Sequence, residues 1–184
     1  MYLWVFFTLS VVTEIILHIL GSQSKHSGRI FHVYTPIEYV LITIILTSWQ
    51  TKPSMAKSMR VSIPLYILFF VLTKISGLED FSADTANYIT RPLAVLLLST
   101  FAFLTLQTLW RHTPTNLIND YRFWILLAIA LYYSASLALF AFMFTEDQDF
   151  LIALFKIHAV VNIIHNILFT IGVFKVRGGG QAAT

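Results

Sequence analysis

Residues 123–144 read FWILLAIALYYSASLALFAFMF, a run without a single charged side chain. A helix rises about 1.5 Å per residue, so such a run is long enough to cross a hydrocarbon core of about 30 Å. A barrel strand would alternate polar and apolar positions over about 10 residues, and this run does not alternate. Lipid offers the backbone no partners, so the segment must close its own hydrogen bonds as a helix. Residues 2–20, 32–49, 61–77, 92–110 and 150–174 have or approach the same character. The whole chain follows suit. Of its 184 residues, 57% are hydrophobic and 11% charged, where soluble domains carry about 25% charged residues. Mean hydropathy is +0.75. A soluble domain and a disordered chain are both excluded. The absence of cysteine excludes disulfide frameworks, Cys-ligated zinc and thiol catalysis.

The predicted fold is therefore all-α: an integral membrane six-helix bundle forming one domain over residues 1–175. The Gly-rich residues 176–184 read as a flexible cytoplasmic tail. Pro36, Pro64 and Pro92 read as lying near span starts, where a missing N–H costs little, and Pro53 and Pro114 as lying in loops. The N-terminus has neither a positive leader nor a small-residue cleavage site, so the first span reads as retained. No internal repeat is evident.

Charge sets the expected orientation. One side collects Lys52, Lys57, Arg60, Arg111, Arg122, Lys175 and Arg177, against Lys25, Arg29 and Arg91 on the other. Basic residues concentrate on the cytoplasmic side, which puts both termini in the cytoplasm. Glu79, Asp80, Asp84, Glu146, Asp147 and Asp149 then all lie outside, and only Asp120 inside. Trp4, Trp49, Trp110 and Trp124 each fall at a cytoplasmic span end, where tryptophan prefers the interface. The stretch 52–60 reads as a basic loop that contacts anionic lipid.

Ionisable residues inside spans are costly, so function is sought there first. They are Glu14, His18, Glu38, Lys74, Lys156, His158 and His165. Counting from the outer span ends, Glu14 and Glu38 lie roughly 9 Å deep and His158 about 12 Å, with His18 nearer the surface. Ser10, Glu14 and His18 share one helical face. His158, Asn162 and His165 fall within about 60° of one another on a helical wheel. Tyr132 and Ser136 share a face near the middle of the fifth span, and Lys156 points away from His158. Lys74 and Lys156 read as snorkelling outwards. The expected ligand-binding set is Glu14, His18, Glu38, His158, Asn162 and Tyr132, gathered in a pocket open to the outside. This requires the first, second and sixth spans to meet, with help from the fifth.

Each signal has a plainer reading. Glu14 and His18 could be a structural pair, and Glu38 a first-turn acid favoured by a helix N-terminus. Asn162 and Asn166 could be ordinary interhelical glue. A metal site would need Glu14, His18 and His158 together, because zinc takes three or four ligands. No cofactor is expected, no residue is assigned a catalytic role, and no nucleophile elbow, zinc-protease motif or phosphate loop is present.

The segments Phe123-Trp124-Ile125, Tyr132 to Ser136 and Ile157 to Leu168 resemble those of a group of uncharacterised bacterial polytopic inner-membrane proteins of six to seven spans. Glu14 and the Tyr34–Glu38 stretch are also similar to that group's early acid and to the opening of its next span. The resemblance implies a bacterial inner (plasma) membrane and carries no activity. The first functional expectation is a binding or sensing protein for a small molecule, or an accessory membrane subunit. The others are a proton- or ion-coupled solute transporter and an intramembrane metal-dependent lipid hydrolase. The implied partners are the bilayer, a small molecule reached from outside, and a membrane protein or second copy; nucleic acid is not among them.

Overall fold

A computed structural model describes residue 8 and residues 28–80, 87–112, 117–143 and 145–179. The described chain is all-α. Five helices follow in order: α1 (Gly28–Trp49), α2 (Pro53–Ile75), α3 (Thr90–His112), α4 (Tyr121–Phe142) and α5 (Gln148–Gly179). A short 3-10 turn, Leu117–Asn119, precedes α4. Among the described residues, α2, α3, α4 and α5 (the last over Gln148–Val176) are long and apolar enough to cross a membrane. α1 is not among them, since its first half carries His32, Thr35 and Glu38. The expected first span, residues 2–20, lies outside the described residues.

Two expectations about boundaries are corrected. The basic stretch expected as a loop is mostly helix: only Gln50–Lys52 connect α1 to α2, and Pro53 opens α2. A first-turn proline loses no helical hydrogen bond, so the helix starts there rather than at the apolar run. Because α1 and α2 begin earlier than the apolar runs, Pro36 and Pro64 lie inside helices rather than near their starts. Each proline removes one internal N–H, a loss that membrane helices tolerate when neighbours satisfy the freed carbonyl. At the other end, α2 stops at Ile75, short of the expected 77. Gly77 takes φ 72°, a left-handed conformation that glycine adopts without a Cβ clash. The chain then turns back so that the Glu79 N–H bonds to the Thr73 carbonyl at 3.2 Å. The last helix continues through Gly179, past the expected start of the tail at 176.

The chain divides into two compact units. The first contains residues 1–48 and 53–94, hence α1 without Trp49, α2 and the first turn of α3. In α1, His32, Thr35, Glu38, Tyr39, Ile42, Leu46 and their helical neighbours form a buried stripe of period 3.6. The stripe is polar at its start and apolar at its end. In α2, Met59, Tyr66 and Thr73 are buried at steps of seven, while Val61, Leu65, Leu68 and Leu72 are exposed. An apolar outer face of that length suits lipid rather than water.

The second unit contains residues 49–52 and 95–184. Asp120 caps α4, accepting the Arg122 N–H at 2.9 Å and pairing with its guanidinium at 2.6 Å. Burial would raise the Asp120 carboxyl, but these donors hold it below the usual carboxylate value. α4 buries Ile125, Leu126, Ile129 and Tyr133. α5 approaches α4 closely at Gly172. A Cβ there would stand 2.6 Å from Cγ1 of Ile125 and 3.2 Å from the Tyr121 carbonyl oxygen. Small residues bring membrane helices into this kind of contact. The outer side of α5 exposes Phe155, Val160, Ile163 and Ile167.

Gly172→Ala is therefore expected to destabilise the α4–α5 pair by about 1–3 kcal/mol, as overpacking does. Adding Ile125→Ala should offset part of that loss. Thermal unfolding in detergent micelles of the two single variants and the double variant checks both statements.

Candidate functional site

The first unit concentrates its polar side chains where the start of α1, the end of α2 and the start of α3 come together. The local sequence dictates each position. Gly77 ends α2 just after Lys74, and the turn that follows brings Glu79 back towards it. The Lys74 ammonium lies 2.9 Å from Oε2 of Glu79 and 2.7 Å from Nδ1 of His32, and over the Phe70 ring at 5.3 Å. An ammonium can only donate, so Nδ1 of His32 is the acceptor. Glu79 is buried and serves a second element. Its Oε1 accepts the N–H groups of Ile89 and Thr90, and its Oε2 accepts the Thr90 hydroxyl at 2.7 Å. A carboxylate at the first turn of α3 satisfies N–H groups that have no partner inside the helix. Burial would raise the Glu79 carboxyl; the Lys74 ammonium and the Thr90 and Ile89 donors outweigh it and hold it below the ordinary carboxylate value.

A second link runs beside the first. Arg91, one residue into α3, places Nη1 3.5 Å from Oε2 of Glu38 and 3.1 Å from the Thr35 hydroxyl. Asn87 donates to the same hydroxyl at 3.2 Å. Glu38 and Thr35 are neighbours on the buried stripe of α1, spaced at i and i+3. Two tyrosines in tilted contact adjoin the cluster. The Tyr39 and Tyr66 rings are 4.1 Å apart, with Tyr39 donating to Ser62 at 2.8 Å and Tyr66 donating to the Thr90 carbonyl at 3.1 Å. Glu38 and Glu79 balance Lys74 and Arg91, so the cluster carries paired charge.

In the second unit, α4 and α5 bring together other expected residues. The Tyr132 ring packs against His158 at 5.4 Å and His165 at 4.9 Å. Nδ1 of His165 lies 3.0 Å from the Ala128 carbonyl, which only an N–H can satisfy, so that nitrogen is the donor. His158, Asn162 and His165 are half-buried on one side of α5, whereas Lys156 and Asn166 are exposed. The expected common face of His158, Asn162 and His165 is thus present, as is the opposite placement of Lys156.

The expected binding residues are distributed as follows. Glu38 belongs to the polar cluster of the first unit, and His158, Asn162 and Tyr132 to the second. Glu14 and His18 lie outside the described residues. Lys74 does not snorkel as expected. Its side chain is 11% exposed and turns inward, because Glu79 and His32 offer it better partners than the membrane surface. Among the described residues, no group of three or more His, Cys, Asp or Glu is placed to hold a metal ion. The sequence reading missed His32, Thr35, Glu79, Asn87 and Arg91 as site residues. One signal was readable, since His32, Thr35 and Glu38 recur at i, i+3 and i+6 along one helical face. The pairing of Glu38 with Arg91 has no local signature. Comparison with protein families, with curated proteins and with solved structures returns no match.

Glu79 makes a definite pH prediction. A carboxyl held below its free value of 4.5 contributes stability that is complete above that value and lost as pH falls through the lower folded one. The unfolding temperature in detergent should thus lose stability only below about pH 4.5, and Glu79→Gln should shrink this acid-dependent loss. Unfolding curves from pH 7 to pH 3 measure both.

Proposed function

We propose that the chain is a multi-pass membrane protein whose first unit binds a small polar molecule, with Glu38 and Arg91 as the recognition pair. The observation that carries this reading is the difference between the two ionic links. Glu79 sits at hydrogen-bonding distance from Lys74 and also holds the start of α3, so it is structural. Glu38 and Arg91 are 3.5 Å apart, longer than the about 2.7–2.9 Å of a charge-assisted hydrogen bond. A looser pair costs less to open. Once opened, it presents a carboxylate and a guanidinium side by side, which complements a small zwitterion. Thr35 and Asn87 stand beside it as neutral hydrogen-bonding groups.

In this reading the protein has six spans in a bacterial inner membrane, with both termini in the cytoplasm. The basic residues around α1 and α2 then face the cytoplasm and the cluster faces outward. Glu14 and His18 of the first span are assigned to the same outer half, and Tyr132, His158 and Asn162 to the outer half of the second unit. The protein acts as a sensor or as an accessory subunit, passing a change in helix packing to a membrane partner.

The test is ligand-dependent stabilisation of the purified protein in detergent, with a panel of free amino acids and betaines as probes. At least one zwitterion is expected to raise the unfolding temperature. Arg91→Gln or Glu38→Gln should weaken that effect at least about tenfold, the size expected when one charged hydrogen-bond partner is removed. A panel without a stabiliser, or stabilisation that survives both substitutions, contradicts the proposal.

A further inference from the structure

Exposed polar side chains are few in α2 to α5 once the helix ends are set aside, and all but one have an outlet. Thr100 and Thr170 donate to the carbonyls of Leu96 and Asn166, each four residues back. Lys156 has a long stem that carries its ammonium towards the interface. Gln107 lies one turn from Arg111, at the end of α3. Asn166 is the exception. It is exposed, and its carboxamide has no hydrogen bond among the described residues.

Depth makes that exception costly. Asn166 is ten residues from Lys156 and nine from Lys175. At about 1.5 Å per residue it stands roughly 15 Å from one and 14 Å from the other, at the middle of a hydrocarbon core of about 30 Å. Its side chain is too short to reach either surface. Hydrocarbon offers no hydrogen-bond partner, so a carboxamide there needs one on another helix. α4 does not supply it, because α5 meets α4 through His165 and Gly172, on a different side. The surroundings of Asn166 have the spacing of a helix–helix seam. Ala159, Ile163, Asn166 and Thr170 follow at steps of four, three and four, and all four are exposed. Such spacing keeps one face towards a parallel neighbour. Ala159 and Thr170 are small, which lets two backbones approach.

We infer that this seam is the interface with a second copy of the chain, in which the two Asn166 carboxamides bond to each other at the bilayer midplane. Two arguments select a second copy. A carboxamide carries both donors and an acceptor, so it is complementary to its own kind. Two copies inserted the same way are related by a two-fold axis along the membrane normal, which sets equal residues at equal depth. Asn166 then meets Asn166 with no further polar residue required, whereas an unrelated helix would need a polar group at that one depth. The interface is separate from the Glu38–Arg91 cluster and stands or falls independently of it.

The chain contains no cysteine, so single cysteines report the contact without background. The full chain is reconstituted in phosphatidylcholine vesicles over a range of protein-to-lipid ratios and oxidised with copper phenanthroline. Thr170→Cys, on the seam, is expected to give a disulfide-linked dimer whose yield rises with protein density and saturates. Ile164→Cys, exposed on another side of α5, should give far less at every density. Adding Asn166→Leu to Thr170→Cys should lower the apparent association at least about tenfold, the size expected when interhelical amide bonds are lost. Asn166→Gln keeps the amide and should retain most of the dimer. Asn166 is exposed, so its replacement tests association without endangering the fold. Equal yields from Thr170→Cys and Ile164→Cys would mean random collision and overturn the seam. A yield unmoved by Asn166→Leu overturns the amide pair. No dimer from Thr170→Cys at any density overturns the second copy as the occupant.

Discussion

A lysine ammonium turned away from water must be neutralised where it stands, and the first unit is arranged around that requirement at Lys74. Glu79 neutralises it at 2.9 Å and His32 accepts from it at 2.7 Å. Glu79 can do so only because Gly77 reverses the chain after α2. The same carboxylate then takes the first N–H groups of α3, so one side chain joins the end of one helix to the start of the next. Removing one partner of a buried ion pair costs about 3–5 kcal/mol, which is a large part of the stability of most domains. The interaction is therefore a structural constraint as well as a feature of the candidate site.

Glu38 and Arg91 depend on that constraint. Arg91 follows Thr90, whose N–H and hydroxyl are held by Glu79, so the guanidinium is aimed from a fixed helix start. Glu38 is presented by the buried stripe of α1. A recognition pair needs such support, because a polar group that can swing freely loses most of its binding energy to ordering. The second unit is organised differently. Gly172 brings α5 against α4, and Tyr132 stacks between His158 and His165 on the facing sides.

The helices were legible because each depends on a long local signal. The runs at 92–110 and 123–144 match α3 and α4 to within a few residues, since apolar length alone decides them. The start of α2 was not legible in the same way. Residues 53–60 are polar and basic, and hydropathy cannot separate a polar helical turn from a loop; Pro53 was the clue that the helix begins there. Glu38 could be picked out as a buried acid, and the common face of His158, Asn162 and His165 followed from spacing. The partners of Glu38 could not be read. Arg91 is 53 residues away, and Lys74 was judged only by its depth. Which charges meet depends on how three helix ends converge, and no periodicity in the sequence records that.

The central claim is that Lys74 and Glu79 act as one buried, coupled unit. The most direct measurement is a double-mutant cycle with Lys74→Met and Glu79→Gln, followed by unfolding in detergent at neutral pH. Each single variant leaves a buried group without its charged partner, while the double variant leaves none. The double variant is predicted to be more stable than the sum of the two losses implies, with a coupling of about 1–3 kcal/mol. Losses that simply add, with no coupling between the two positions, would contradict the account.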